Sequence, residues 1–192
     1  MHFTIRNSLV FIVFAGCNAV AEPHDPLANG IDGDVTATAG SRWSIENGVL
    51  TPARGEARAY VVTKRRYADI EVSFEFNPDA KTNSGIFTRC QDPEAINPEQ
   101  CYEFNIWDAH PDQDNRTGAI VLRSPPVEIV NTEGKWNTMR VRIEGTRLRV
   151  WVNDVLTNDF DDDTLSEGHV AFQYGGENGM VVFRNIRIQE LP

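Results

Sequence analysis

The sequence is poor in cysteine and in positive charge. It holds three cysteines in 192 residues, and 18 Lys and Arg stand against 28 Asp and Glu, a formal net charge of −10. A chain this acidic, with no basic stripe, excludes a phosphate-binding groove, so nucleic acid is not an expected partner. No apolar run is long enough to cross a bilayer; the leading one, Leu9 to Ala15, falls well short. Helical periodicity of useful length is absent, which excludes a helix bundle, and there is neither an internal repeat nor a low-complexity segment. The acidic run Asp159 to Asp163 lacks the ligand spacing of an EF-hand, so it reads as a solvated loop, with calcium binding the lesser alternative. With 41% hydrophobic residues the chain can bury one good core, and one domain is expected.

The first residues read as targeting rather than fold. His2 and Arg6 give a weakly basic start before the short apolar run. Phe14-Ala15-Gly16-Cys17 resembles a bacterial lipobox, in which the leader ends at residue 16 and Cys17 is lipidated. Ala19-Val20-Ala21 is a competing A-x-A site that would end the leader at residue 21. Either implies export, to the periplasm or as an outer-membrane lipoprotein with a lipid anchor in a bacterial envelope. Residues 22–41, rich in Pro, Gly, Asp and Thr, read as a tether or loosely attached arm, and residues 42–192 as the domain.

What fills the domain is short alternating runs. Trp43 to Ile45 and Val49 to Thr51 flank Asn47-Gly48, the strongest short hairpin signal. Ala59 to Thr63 is a short apolar strand, and Lys64-Arg65-Arg66 after it reads as a solvated turn. Asp69 to Phe76 places Ile70, Val72, Phe74 and Phe76 on one face, the pattern of a half-buried antiparallel strand. Thr117 to Leu122, Trp136 to Glu144, Arg147 to Asn153, Gly168 to Tyr174 and Met180 to Gln189 complete the set. About ten strands at even spacing predict an all-β sandwich, without separating a jelly roll from an immunoglobulin-like one.

The most informative stretch runs from Asn83 to Asp108. It reads N-S-G-I-F-T-R-C, a polar loop, then C-Y-E-F-N-I-W-D, a hairpin with a long connection. Tyr102, Phe104 and Ile106 share one face and should pack inward; Glu103, Asn105 and Trp107 share the other. A carboxylate, an amide and an indole together are the equipment of a sugar-binding surface, although a surface carboxylate and a packed tryptophan are the structural alternatives. Cys90 and Cys101 stand at the two mouths of the loop, and in an exported protein a disulfide between them is expected.

N-S-G-I-F-T-R, C-Y-E-F-N-I-W-D, T-G-A-I, K-W-N-T, L-R-V-W-V-N-D, G-H-V-A-F-Q-Y-G-G and V-F-R-N-I-R-I occur in this order. Together they resemble the 3-keto-disaccharide hydrolase domain family over roughly Trp43 to Leu191. The resemblance implies an antiparallel two-sheet jelly roll of concanavalin A-like type, usually exported, acting on or binding sugars. Members cleave glycosides whose sugar carries a ketone at C3. Val121 stands where many members have tyrosine in T-G-x-x-Y, and Phe172-Gln173-Tyr174-Gly175 lacks the histidine of L-Q-x-H-G.

A C3 ketone acidifies the hydrogen on C2. A base can remove it, the glycosidic oxygen leaves C1, and water then adds to the unsaturated sugar. The site therefore needs a base, a stabiliser for the enolate and an acid for the leaving oxygen. Glu103 is the candidate base, with Arg89 or a bound divalent cation to hold the enolate; no cofactor is otherwise implied. Arg89 has an alternative, an ion pair with Asp108 at the sandwich rim. Asn105 and Gln173 would hydrogen-bond hydroxyls, Trp107 would stack on a ring, and Asp108 is grouped with them as substrate-binding. His110, on the loop after the Glu103 strand, is the candidate to replace the missing histidine. The expected ligand is a carbohydrate or glycoside. A non-catalytic carbohydrate-binding module is the alternative that the same residues allow.

Overall fold

The computed structural model describes residues 21–55, 57–176 and 179–192; the leader and Cys17 lie outside the described residues. The chain forms β1 (Val35–Ala37), β2 (Trp43–Glu46), β3 (Val49–Pro52) and β4 (Ala59–Thr63). Next come β5 (Ile70–Pro78), β6 (Ser84–Cys90) and β7 (Tyr102–Ile106), then β8 (Asn137–Glu144) and β9 (Arg147–Val152). β10 (Val155–Asp161), β11 (His169–Tyr174) and β12 (Val181–Glu190) close the order. They build two antiparallel sheets, a five-stranded one in the order β1-β4-β11-β6-β7 and a seven-stranded one in the order β10-β9-β8-β5-β12-β3-β2. This is the jelly-roll sandwich that the alternating runs and the motif order imply.

Alternation sets which side chains meet between the sheets. Ile70, Val72, Phe74 and Phe76 of β5 are buried, while Glu71, Ser73 and Glu75 face out. Phe74 meets Phe172 of the opposite sheet edge-on, with ring centres 5.4 Å apart, and Phe183 packs edge-on against both. Such edge-to-face contacts add about 1 kcal/mol each beyond burial and join the two sheets at their centre. Asn47 and Gly48 both have positive φ, the type I′ turn that matches the twist of the β2–β3 hairpin.

Three segments differ from the sequence reading. Residues 22–41 are built into the sandwich and do not hang from it as an arm. His24 exchanges backbone hydrogen bonds with Ile188, Leu27 and Ile31 pack on the core, and β1 pairs with β4. Three residues are too few to show a period, so a Gly-Asp-Thr composition hid this edge strand. Thr117 to Leu122 is not a regular strand. It runs beside β7 through Gly118 N–Asn105 O, Asn105 N–Ala119 O and Val121 N–Glu103 O, but positive φ at Gly118 and Leu122 breaks the ladder at both ends. The acidic run is not a loop at its start, since Asp159 and Asp161 belong to β10 and Asp159 forms a two-pronged pair with Arg147.

The segment between Cys90 and Cys101 folds back over the outer face of the five-stranded sheet. There Ile96 joins Tyr60, Val62, Phe87, Ala171 and the Cys90–Cys101 disulfide in a second, smaller apolar cluster. The Tyr60 hydroxyl donates to the Ile96 carbonyl at 3.3 Å. This cluster is the ground on which the functional face is built.

Candidate functional site

Strand register brings four outward positions into one row. Tyr60 of β4 stands opposite Gln173 of β11, Gln173 opposite Gly85 of β6, and Gly85 opposite Asn105 of β7. One step along, Ala171, Phe87 and Glu103 form the next row. Gly85 is required between them. A Cβ there would come within 2.8 Å of the Phe104 carbonyl oxygen and 3.6 Å of a Glu103 carboxylate oxygen. The floor of the face is therefore low at its middle and walled by larger residues on both sides.

The hollow so formed has a volume of about 150 Å³. Glu103, Asn105 and Trp107 enter it from β7 and the residue beyond, Gln173 from β11, and His110 from the following loop. Arg58, Asn83, Phe87, Pro98 and Val121 supply the rest of the lining. Five of the expected site residues thus converge. Their separation in sequence is bridged by the order β11-β6-β7, which no local pattern could reveal.

Glu103 is 8% exposed, and burial pushes its carboxyl up to about 7, Arg58 pulling it down and Glu99 raising it further. Desolvation disfavours the charged form, and a lone guanidinium at the rim does not offset it. A carboxylate that binds its proton near neutrality is matched to taking and returning one at that pH. Tyr60 is likewise raised, chiefly by burial. Gln173 sends its amide nitrogen towards the Tyr60 hydroxyl at 3.4 Å, and its Oε1 is buried without a hydrogen-bond partner among the described residues. A buried, unpaired acceptor is unfavourable by about 1–3 kcal/mol unless a ligand hydroxyl completes it.

The remaining residues divide. Asn105 lines the hollow, but its side chain is already engaged: its amide donates to the Asn115 carbonyl and its Oδ1 accepts the Ile106 N–H at 3.0 Å. It holds the loop that carries His110 and leaves little capacity for a ligand hydroxyl. The His110 ring packs edge-on against Trp107, with centres 4.4 Å apart, and its Nδ1 sits 3.0 Å from the Asp112 N–H.

Arg89 is elsewhere. It sits in a bulge where β6 slips against β11, with φ of 50°, and Gly168 is pressed so closely on this bulge that a Cβ would meet the Arg89 carbonyl carbon at 2.2 Å. Its guanidinium is 2% exposed and bonds the carbonyls of Ala68, Gly145 and Leu165 and the Asp69 carboxylate at 3.0 Å. Four of its five N–H donors serve the rim of the sandwich, and it does not line the cleft, so it is not the group that holds an enolate there. Its ion-pair partner is Asp69, not Asp108.

Asp108 is also structural. Its carboxylate accepts from Thr117 Oγ1, Thr132 Oγ1 and the backbone N–H groups of Thr132 and Glu133, and lies 3.9 Å from Arg116. Two long loops are pinned by one side chain. Asp108→Asn should lower stability by about 1–2 kcal/mol, since charge-assisted bonds to backbone N–H groups are lost. Urea unfolding measures this. A ligand affinity that fell more than the stability loss explains would return Asp108 to the binding surface.

Arg58 was not legible as a site residue. Its alternation with Tyr60 and Val62 could show its face, but the pairing of β4 with β11 is what sets it beside Glu103.

The family model described as 3-keto-alpha-glucoside-1,2-lyase-like domain matches residues 25–189. No curated protein sequence matches the chain. Among solved structures, a candidate glycosyl hydrolase from Parabacteroides distasonis is 25% identical, with a TM-score of 0.68, over 78% of this chain and 90% of that one. The carbohydrate binding module CBM66 from Bacillus subtilis is 17% identical, with a TM-score of 0.61, over 80% of this chain and 93% of that one. The Emp46p carbohydrate recognition domain is 10% identical, with a TM-score of 0.56, over 85% of this chain and 90% of that one. At such low identity these last two attest the fold alone.

Proposed function

The chain belongs to the 3-keto-α-glucoside-1,2-lyase-like domain family, and we propose that it cleaves glycosides oxidised at C3, with Glu103 as the base. The family and the structural neighbours are carbohydrate-related, and the observation that carries the finer reading is the buried Glu103 carboxyl, held near pH 7 in a polar hollow. The ionised carboxylate takes the proton from C2, and the enolate that forms then expels the glycosidic oxygen from C1. The C–H electron pair becomes the C1=C2 bond by way of the enolate, and the aglycone leaves as an alcohol. Arg58 takes over the part first given to Arg89, offering a guanidinium to the enolate oxygen. In this reading His110, which lines the hollow, protonates the leaving oxygen, Trp107 offers a face to a sugar ring, and the unpaired Gln173 Oε1 accepts a hydroxyl. Water adding at C1 of the enone, with a proton returned to C2, completes a net hydrolysis.

The disulfide supports the export expected from the leader, since such bridges persist in oxidising compartments. Periplasm or outer membrane, with Cys17 lipidated, is the placement we infer.

A second reading, a binding module without catalysis, is favoured by one observation. Val121 puts an apolar group in the cleft where the family motif has a tyrosine, and Gly175 follows Tyr174 where it has a histidine. Assays of the full chain on 3-keto-trehalose and a 3-keto-β-glucoside separate the two. Turnover is expected on at least one. Binding of unoxidised glycans with no product from either, lost in Trp107→Ala and kept in Glu103→Gln, would establish the module instead.

A further inference from the structure

The outer face of the seven-stranded sheet, on the other side of the sandwich from Glu103, carries a lattice of mutually neutralised charge. Glu71 meets Arg140 and Arg142, Glu144 meets Arg142 and Arg149, and Glu75 meets Arg184. Within this lattice lies a hollow of about 300 Å³, twice as roomy as the Glu103 cleft. Register explains it. Ser73 stands beside Arg140 and Arg140 beside Trp151, while Glu75 stands beside Thr138, so two small side chains lie among long ones. The Arg140 guanidinium carbon lies over the Trp151 indole, 3.6 Å from the ring centre, and the pair stands as one wall. Asp154 closes the far end from a two-residue turn in which Asn153 and Asp154 both have positive φ.

The chemistry of the lining selects a ligand class. Arg140 is paired with Glu71 and Glu75 with Arg184, so an anionic ligand would have to break an existing bridge. Ser73, Thr138 and Asp154 make no side-chain hydrogen bond among the described residues, which leaves two hydroxyls and a carboxylate ready to exchange with ligand hydroxyls. Beside them stands the indole wall, apolar on its ring and polar at its tip. We propose that this hollow is a second carbohydrate-binding site, for a neutral oligosaccharide, independent of the cleft at Glu103.

Titration of the ¹⁵N-labelled full chain with unoxidised maltotriose, cellotriose and laminaritriose tests it by NMR. At least one trisaccharide should shift the resonances of Ser73, Thr138, Asp154 and the Trp151 indole. Thr138→Arg, which fills the hollow, and Asp154→Asn, which keeps the turn, should each weaken that binding by about tenfold, a difference of ~1.4 kcal/mol. Glu103→Gln should leave it unchanged. Should Thr138→Arg not fold, Asp154→Asn at the exposed turn decides by the same criterion. Resonances that stay still on this face with all three sugars, or affinity undiminished in the variants, overturn the proposal. Turnover of 3-keto-glycosides is read at the opposite face with different compounds, so either idea can fail without the other.

Discussion

Glu103→Gln should lower kcat/KM on a 3-keto-glycoside by about 10³-fold, the scale of a lost general base, while making the protein more stable above pH 7. Both effects follow from one fact, the burial that lifts this carboxyl to about 7. In the wild-type enzyme kcat/KM should rise with pH through about 7, as Glu103 gives up its proton and becomes a base. Stability runs the other way. The folded-state pKa lies above the unfolded value near 4.5, so the fold favours the protonated carboxyl. That contribution is fully present below pH 4.5 and is lost as pH rises through 7. The loss is on the order of 3 kcal/mol, which glutamine, having no proton to lose, does not suffer. Thermal unfolding of both proteins from pH 4 to 9 should show stabilities that nearly coincide at pH 4, diverge as pH rises from about 4.5 to 7, and keep a constant separation above that. A constant difference across the whole range would mean that Glu103 is solvated, and the argument for its role as base would go with it. Activity that survives the substitution would remove Glu103 from the mechanism even if the stability result held.

How much of this was legible in the sequence depends on distance along the chain. The two faces of β7 were readable because alternation is a local property: Tyr102, Phe104 and Ile106 enter the core, and Glu103, Asn105 and Trp107 turn to the other side. The disulfide was readable because its cysteines bracket a single loop. Arg89 was misread because a bulge changes the side on which a residue emerges, and this bulge depends on Gly168, far along the chain, accepting close contact. Asp108 was misread for a related reason. Its partners Thr117, Thr132 and Glu133 lie on loops with no period, and only the fold brings their N–H and hydroxyl groups to one carboxylate. Arg58 belongs to the same class of facts as sheet order. The hydrophobic pattern that makes β4 a strand is indifferent to whether β11 or another strand lies beside it. A sandwich is specified by many interchangeable apolar contacts, whereas a site is specified by a few polar ones between distant segments.

Replacing Cys90 and Cys101 together with Ser should both destabilise the domain and loosen the cleft. The bridge closes a loop with a sequence separation of 11, and chain entropy gives such a closure about 2–3 kcal/mol. For a domain of this size that corresponds to a fall in Tm of roughly 5–10 °C. The effect on the cleft follows from what the loop covers. Ile96 packs on Tyr60, Val62, Phe87 and Ala171, the Tyr60 hydroxyl donates to the Ile96 carbonyl, and Pro98 lines the hollow beside Glu103. Inside the loop, Asp92 and Asn97 accept backbone N–H groups of Glu94, Glu99 and Gln100, so the turns are set locally, while the bridge adds a covalent anchor to the one that Ile96 makes on the sheet. Without the bridge the wall at Pro98 becomes mobile, water reaches Glu103, and its carboxyl moves back towards the ordinary range. KM should rise severalfold, measured well below both melting temperatures, and the rise of kcat/KM with pH should shift to lower pH. The double Ala variant separates the lost bridge from the burial of two hydroxyls. Unchanged KM and an unchanged pH profile in a protein that melts lower would leave the bridge a structural role only, and two free thiols in the exported protein by mass spectrometry would remove it altogether.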